Sequence, residues 1–380
     1  MRVLLISHAY AAPINRQKLR ALAGRPGLEV SALAPRVWKE SARVFRTEPG
    51  SRDGYRMYAG DVCFPGRVTG HFYRNGLRRA LRGAEPDLIH LEGEPWSAAA
   101  AQVVAAAALR WHRPRLVFFS WENLDLELSW HRRLVERAAL ARADLLIAGG
   151  ETSRSRLIRR GVGPERIAVL PQFGLDPDLF HLPAPGGQPD VFTVGFVGRL
   201  VRLKGVDLLV RALGELGGEW RALLVGEGAM REALRALARS LGILDRIAFV
   251  DWVGHGEVPA FLRRMDVLVL PSRTTPGWAE QFGHLLIEAM GCGAVPVGSD
   301  SGEIPWVIGD AGLIFPEEDH RALAAALRRL RDEGGLREKL ARAGRRRVLD
   351  HFSWEVIAEK TQAIYERVLQ GGGGQGGGGG

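Results

Sequence analysis

The stretch from Pro271 to Pro296 leaves few folds open to this chain. An apolar run, Val267-Leu268-Val269-Leu270, leads into it and has the pattern of a strand buried on both faces. Ser272 to Gly277 is polar and punctuated by proline and glycine, the mark of a loop at the strand's carboxyl end. From about Gly283 the pattern turns helical through His284 to Met290, and Gly291 and Gly293 end it. Ala294-Val295-Pro296-Val297 then begins another strand. A strand, loop, helix and strand in that order belong to a parallel sheet.

Two carboxylates stand out in this unit, Glu280 in the loop and Glu288 in the helix. The helix amino end, at Phe282-Gly283, offers unpaired backbone N–H groups and a partial positive charge, which suits phosphate. A diphosphate lying there would leave one carboxylate facing sugar hydroxyls and the other facing ribose hydroxyls.

The same alternation runs through the chain. Strands are expected at 2–6, 28–33, 87–91, 116–119, 144–148 and 166–170, and again at 192–197, 220–225, 247–250 and 311–315. Helices are expected between them, and after 319. Residues 35–60 are polar and irregular and are expected to be a mobile surface loop. Residues 64–83 separate apolar from basic side chains at roughly helical spacing. That segment is either an ordinary surface helix with arginines on its wet face or one that rests on an anionic membrane.

A chain of 380 residues exceeds one core, and two domains are expected. The divisions are residues 1–180, a Pro/Gly-rich linker at 181–190, a second domain at 191–350, a helix at 351–370 and a disordered Gly-rich tail at 371–380. In doubly wound sheets ligands meet the carboxyl ends of strands. That rule picks out His8, Glu94, Glu122 and Asn123 in the first half.

Charge is unevenly placed. Residues 1–180 hold 28 Lys and Arg against 18 Asp and Glu, and the remainder holds 24 against 25. The basic half suits an anionic partner, lipid among them, while no nucleic-acid recognition motif accompanies it. Two distant cysteines, Cys63 and Cys292, offer neither a disulfide framework nor a metal cluster, which fits a reducing cytoplasm. The apolar start, residues 1–6, is too short for a signal peptide or a membrane span.

Gly198 to Gly205 is the second chemical element. Arg199 and Lys204 flank a strand-to-helix turn, and both cations suit phosphate oxygens. Taken with Gly226-Glu227-Gly228, Pro271-Ser272, Glu280-Gln281-Phe282-Gly283 and Glu288-Ala289-Met290-Gly291, this loop resembles the retaining GT-B glycosyltransferases of family 4. Their group 1 C-terminal domain is matched from about Phe192 to Phe352.

The resemblance implies an α/β fold of two Rossmann-like domains with parallel sheets facing across a cleft. It implies a nucleotide-diphosphate sugar as substrate, no cofactor and no divalent metal. Arg199 and Lys204 would hold the diphosphate, and Glu280 the sugar hydroxyls. Gln281, Phe282 and Gly283 would line the donor, with N–H groups from the backbone at Phe282-Gly283. Glu288 would bind the ribose, and Val253-Gly254 would lie against the base. His8, Glu94 and Asn123 fall on the acceptor side. The implied reaction is a front-face displacement that retains anomeric configuration, with a sugar, glycan or lipid as acceptor, by a cytoplasmic enzyme that can lie at the inner face of the membrane.

Two departures mark the acceptor side. The first loop reads Tyr10-Ala11-Ala12-Pro13-Ile14-Asn15, without the family's glycine pair. Trp121-Glu122-Asn123 stands where many members carry a histidine, so Glu122 is expected to take over that contact. Two other readings share the motifs: a protein that binds nucleotide sugar without turnover, and a phosphorylase or epimerase on the same fold.

Overall fold

The computed structural model describes residues 1–40, 43–109, 112–184 and 190–371. The expected tail at 371–380 and the middle of the expected linker lie outside the described residues, apart from Gly371. The chain divides into two compact units, one of Met1–Gly174 with the chain from Trp354, the other of Leu175–Ser353.

The first unit is built on an eight-stranded sheet. Its order runs Ile167–Val169, Leu145–Ala148, Arg115–Ser120, Leu88–Glu92, Arg2–Ile6, Glu29–Pro35, Tyr55–Gly60, Gly50–Arg52. Every pair is parallel except the last, which is an antiparallel edge. The order reverses between Arg2–Ile6 and Leu88–Glu92, and a crevice at the carboxyl ends of such strands is where α/β sheets take ligands. The final helix, Trp354–Gln370, closes this unit: Trp354 Nε1 donates to Gln17 Oε1 at 2.6 Å, and Arg25 Nε to Gln362 Oε1 at 2.7 Å.

The second unit carries a six-stranded parallel sheet. Its order is Ile247–Val250, Arg221–Val225, Thr193–Val197, Val267–Leu270, Val295–Ser299, Leu313–Phe315. Val267–Leu270 is buried at all four positions, as its unbroken apolar run requires of a strand covered on both faces. The reversal falls between Thr193–Val197 and Val267–Leu270. The Gly198–Gly205 and Pro271–Gly283 loops therefore leave the sheet side by side.

Two sequence expectations fail in the first unit. The described residues of 35–60, which leave out 41 and 42, are not an irregular loop. Val37–Glu40 pairs with Arg43–Arg46, and Gly50–Arg52 pairs with Tyr55–Gly60, which also joins the main sheet. Tyr55 and Met57 alternate inward with exposed Arg56 between them, so a period of two was present beneath the proline and glycine punctuation.

The second failure is the long helix expected at 64–83. Helix occupies only Leu77–Ala84, because Gly76 before it takes a positive φ of 88° and breaks the run, while Phe72–Tyr73 pairs with Val62–Cys63. Leu77, Ala80, Leu81 and Ala84 face the core and Arg78, Arg79 and Arg82 face solvent, as in an ordinary surface helix. No helix among the described residues is long and apolar enough to cross a membrane.

Candidate functional site

At the reversal point of the second sheet, helix Val206–Leu216 begins behind a tight turn. Gly205 has φ 63°, and a Cβ there would land on the Pro271 carbonyl oxygen. Only glycine lets the Lys204 turn approach the end of the neighbouring strand this closely. A similar contact sits one strand over, where a Cβ on Gly226 would strike the Gly198 carbonyl. The glycines flagged in the sequence thus bring three loops together by backbone contact.

That approach places Lys204 Nζ 2.6 Å from Glu280 Oε2, with the two side chains 17% and 10% exposed. Ser272 Oγ donates to the same carboxylate oxygen at 2.7 Å. The ammonium also lies 5.0 Å from the centre of the Trp278 ring, within range of a cation–π contact. Arg199, expected beside Lys204, is exposed and has no ion-pair partner among the described residues. The structure therefore brings Lys204 and Glu280 together and leaves Arg199 at the rim of its loop.

Helix His284–Gly291 starts at Gly283, whose φ of 78° sets the chain in the left-handed region, and no side chain caps it. Phe282 is buried against Trp306 and Phe352, with ring centres at 6.3 and 5.7 Å, so it anchors the turn by packing. Gln281 is exposed. Burial pushes the His284 imidazole down to about 4, which keeps it neutral near pH 7 beside the helix start.

Glu288 projects from the second turn of the same helix. Its side chain is 11% exposed, its Oε2 has no hydrogen-bond partner among the described residues, and His255 Nδ1 stands 3.8 Å from Oε1. Burial raises the carboxyl to about 8. A desolvated carboxyl with one oxygen unpartnered among the described residues is poised to meet a hydroxyl group. Val253 and Gly254 precede the short turn that carries His255, and Glu257 Oε2 accepts from Gly254 N–H at 2.9 Å.

Sequence reasoning passed over Arg273. It is buried and forks onto Asp207 at 2.6 and 2.8 Å while Nε donates to Glu318 at 2.5 Å, which locks the loop after Val267–Leu270 to helix Val206–Leu216. These partners hold its pKa well above the usual arginine value. Its position one residue after Ser272 was visible in sequence; its partners, 66 and 45 residues away, were not.

In the first unit, Glu94 organises the loop that holds Glu122 and Asn123. Its carboxylate accepts from Ser120 Oγ at 2.7 Å, Trp121 N–H at 2.8 Å and Glu122 N–H at 3.0 Å. Burial nevertheless raises it to about 7, against those hydrogen bonds. Glu122 Oε1 in turn accepts from Leu124 N–H at 3.0 Å, and Asn123 is buried. His8 packs against Trp38 and His71, with ring centres 4.8 and 5.7 Å away, and burial brings it down to about 4.

Beneath these loops lies a buried polar chain absent from the sequence reading. Lys18 Nζ meets Glu92 Oε1 at 2.6 Å, with exposures of 2% and 0%. Gln172 Nε2 donates to Glu92 Oε2 at 2.8 Å and Trp121 Nε1 to Gln172 Oε1 at 2.5 Å. The ion pair therefore connects, through one amide, to the indole next to Glu122.

Residues 183–347 match the family model for glycosyl transferases group 1, and residues 11–172 match the glycosyl transferase 4-like domain. The D-inositol 3-phosphate glycosyltransferase of Kineococcus radiotolerans is 31% identical over 91% of this chain and 88% of that protein. The 2-deoxystreptamine glucosyltransferase of Streptomyces kanamyceticus is 28% identical over 74% of this chain and 77% of its own length. Among solved structures, sucrose-phosphate synthase from Thermosynechococcus elongatus aligns with a TM-score of 0.73 at 23% identity, covering 97% of this chain and 99% of that one.

Proposed function

This chain belongs to glycosyltransferase family 4 and has the GT-B fold, and from that premise we propose that it moves a hexose from a nucleotide-diphosphate sugar to an acceptor hydroxyl with retention of configuration. The observation that carries the donor side is the meeting of Lys204 and Glu280 beside an uncapped helix start, at the reversal point of a parallel sheet. Lys204, joined by Arg199 from the rim, holds the diphosphate, and the N–H groups at Phe282-Gly283 meet its oxygens. Glu280 contacts the sugar hydroxyls, with Gln281 at the edge. Glu288 accepts from the ribose, and Val253-Gly254 borders the base.

The reaction breaks the bond between the anomeric carbon and the diphosphate oxygen. The acceptor oxygen bonds that carbon from the same face, and its proton ends on the departing diphosphate. Side-chain cations and a helix end stabilise the leaving group, so no divalent metal or cofactor is needed in this reading. On the acceptor side, His8 is a neutral ring, Glu94 holds the loop, and Glu122 and Asn123 border the incoming hydroxyl.

The acceptor is anionic in this reading. The basic first half supports a lipid-linked or cell-envelope glycan met at the cytoplasmic membrane face. On helix Trp130–Arg142, Trp130 and Leu134 are 74% and 62% exposed beside the exposed Arg132, Arg133 and Arg137, a surface that suits an anionic bilayer. The likeness to the D-inositol 3-phosphate glycosyltransferase of Kineococcus favours a second reading, a phosphorylated polyol as acceptor.

A panel of UDP-, GDP- and ADP-sugars, offered with and without acceptors and followed by NMR of the anomeric proton, tests the proposal. Donor-dependent transfer with the donor's anomeric configuration is expected. Binding without turnover would make the chain a nucleotide-sugar binder. A changed free nucleotide sugar would make it an epimerase, and a sugar phosphate formed from inorganic phosphate a phosphorylase.

A further inference from the structure

At the amino ends of Val267–Leu270 and Val295–Ser299 the second unit holds a cavity of about 770 Å³. Lys204 and Glu280 lie at the other end of this sheet. The cavity's size is that of a small-molecule site. One wall is the face of helix Gly334–His351 that repeats every four residues, with Arg337, Ala341, Arg345 and Leu349 in line. Leu182 and Met265 add apolar surface opposite.

Most of the lining charge is already engaged. Arg337 stands 3.3 Å from Asp266, and Arg342 stands 3.4 Å from Glu338. Arg345 Nη1 donates to the carbonyls of Phe180 and Gly291, at 2.6 and 2.8 Å. Two guanidinium groups differ. Arg263 Nη1 is buried with no hydrogen-bond partner among the described residues, and Arg346 is exposed and in no ion pair among them. A buried charged donor without an acceptor is costly unless something completes it.

We propose that this cavity is a second ligand site, taking a small amphipathic anion whose phosphate or carboxylate head meets Arg263 and Arg346 and whose apolar body lies on Leu182, Met265 and Leu349. Planar guanidinium forks recognise such heads by paired hydrogen bonds. The site is separate from the donor site and does not depend on the reaction proposed there.

Titration calorimetry of the full chain with octyl phosphate, below its micelle concentration, tests the assignment. Saturable one-to-one binding is expected. It should weaken roughly tenfold or more in Arg263→Gln, weaken also in Arg346→Ala, and persist in Lys204→Met. Inorganic phosphate and octanol should each bind less tightly. Arg346 is exposed, so its variant keeps the test open should Arg263→Gln fold poorly. Absence of saturable binding, full affinity in both arginine variants, loss in Lys204→Met, or equal affinity for inorganic phosphate would each overturn it. The source of the head is read with phosphatidylcholine vesicles containing phosphatidic acid. Sedimentation that needs Arg263 supports the site with a lipid as its ligand. Binding of free octyl phosphate alone supports the site with a soluble anion.

Discussion

Lys204 Nζ and Glu280 Oε2 lie 2.6 Å apart across 76 residues of sequence, so the cation assigned to the diphosphate is already paired with the carboxylate assigned to the sugar. The pair holds both side chains in place before a ligand arrives, and a donor must enter beside it. Removing Lys204 therefore has two separable effects. Lys204→Ala should reduce turnover by about 10²–10³, as loss of one stabilising donor does. It should also destabilise the fold by roughly 3 kcal/mol, because Glu280 is left nearly buried without its counterion. Lys204→Met combined with Glu280→Gln should regain most of the stability in urea unfolding and none of the turnover. Activity in that double variant would remove Lys204 from the reaction.

Glu288 should make stability depend on pH. Its carboxyl is raised from 4.5 to about 8 in the folded protein by burial. The folded state then holds a proton that the unfolded state releases, so this contribution is full below 4.5 and is lost as pH rises through 8. Urea unfolding of the wild type and of Glu288→Gln at pH 5 and pH 9 checks it. The wild type should lose on the order of 2–4 kcal/mol more than the variant across that interval. Parallel losses would show that Glu288 ionises normally.

The pair of Lys18 and Glu92 should prove costly to break from one side. Both side chains are almost fully buried, so Lys18→Met leaves an uncompensated carboxylate and should cost about 3–5 kcal/mol. Lys18→Met with Glu92→Leu should recover much of it. In the double variant Gln172 loses the Glu92 carboxylate that fixes it against the Trp121 indole, and the fluorescence should shift. An unchanged spectrum in the double variant would mean that the Trp121 indole does not depend on this chain for its position; the rings of Phe119 and Phe173 lie 4.9 and 6.2 Å from it.

The second unit was the more legible in sequence, and the reason is physical. Strands such as Val267–Leu270 are buried on both faces, so they appear as unbroken apolar runs, and parallel connections force helices between them. The loops at their carboxyl ends are therefore legible in the sequence as well. What stayed hidden was contact across long separations: the Lys204–Glu280 pair, the Arg273 clamp and the Lys18–Glu92–Gln172–Trp121 chain. Each joins elements that only the strand order makes neighbours. Val37–Glu40 and Arg43–Arg46 form a two-stranded sheet of their own, Tyr55–Gly60 and Gly50–Arg52 end the main sheet, and the turn residues among them masked the alternation of Tyr55 and Met57. In residues 64–83 a helical spacing of apolar side chains extended past Gly76, where the backbone turns.

The grip of Lys204 on a diphosphate is tested most directly by titration calorimetry of uridine and UDP, or the base that the donor panel selects, against the wild type and Lys204→Met. Wild-type protein should bind the diphosphate at least roughly tenfold more tightly than the nucleoside, and the variant should lose most of that margin while keeping its nucleoside affinity. An undiminished preference for the diphosphate in Lys204→Met would contradict the assignment.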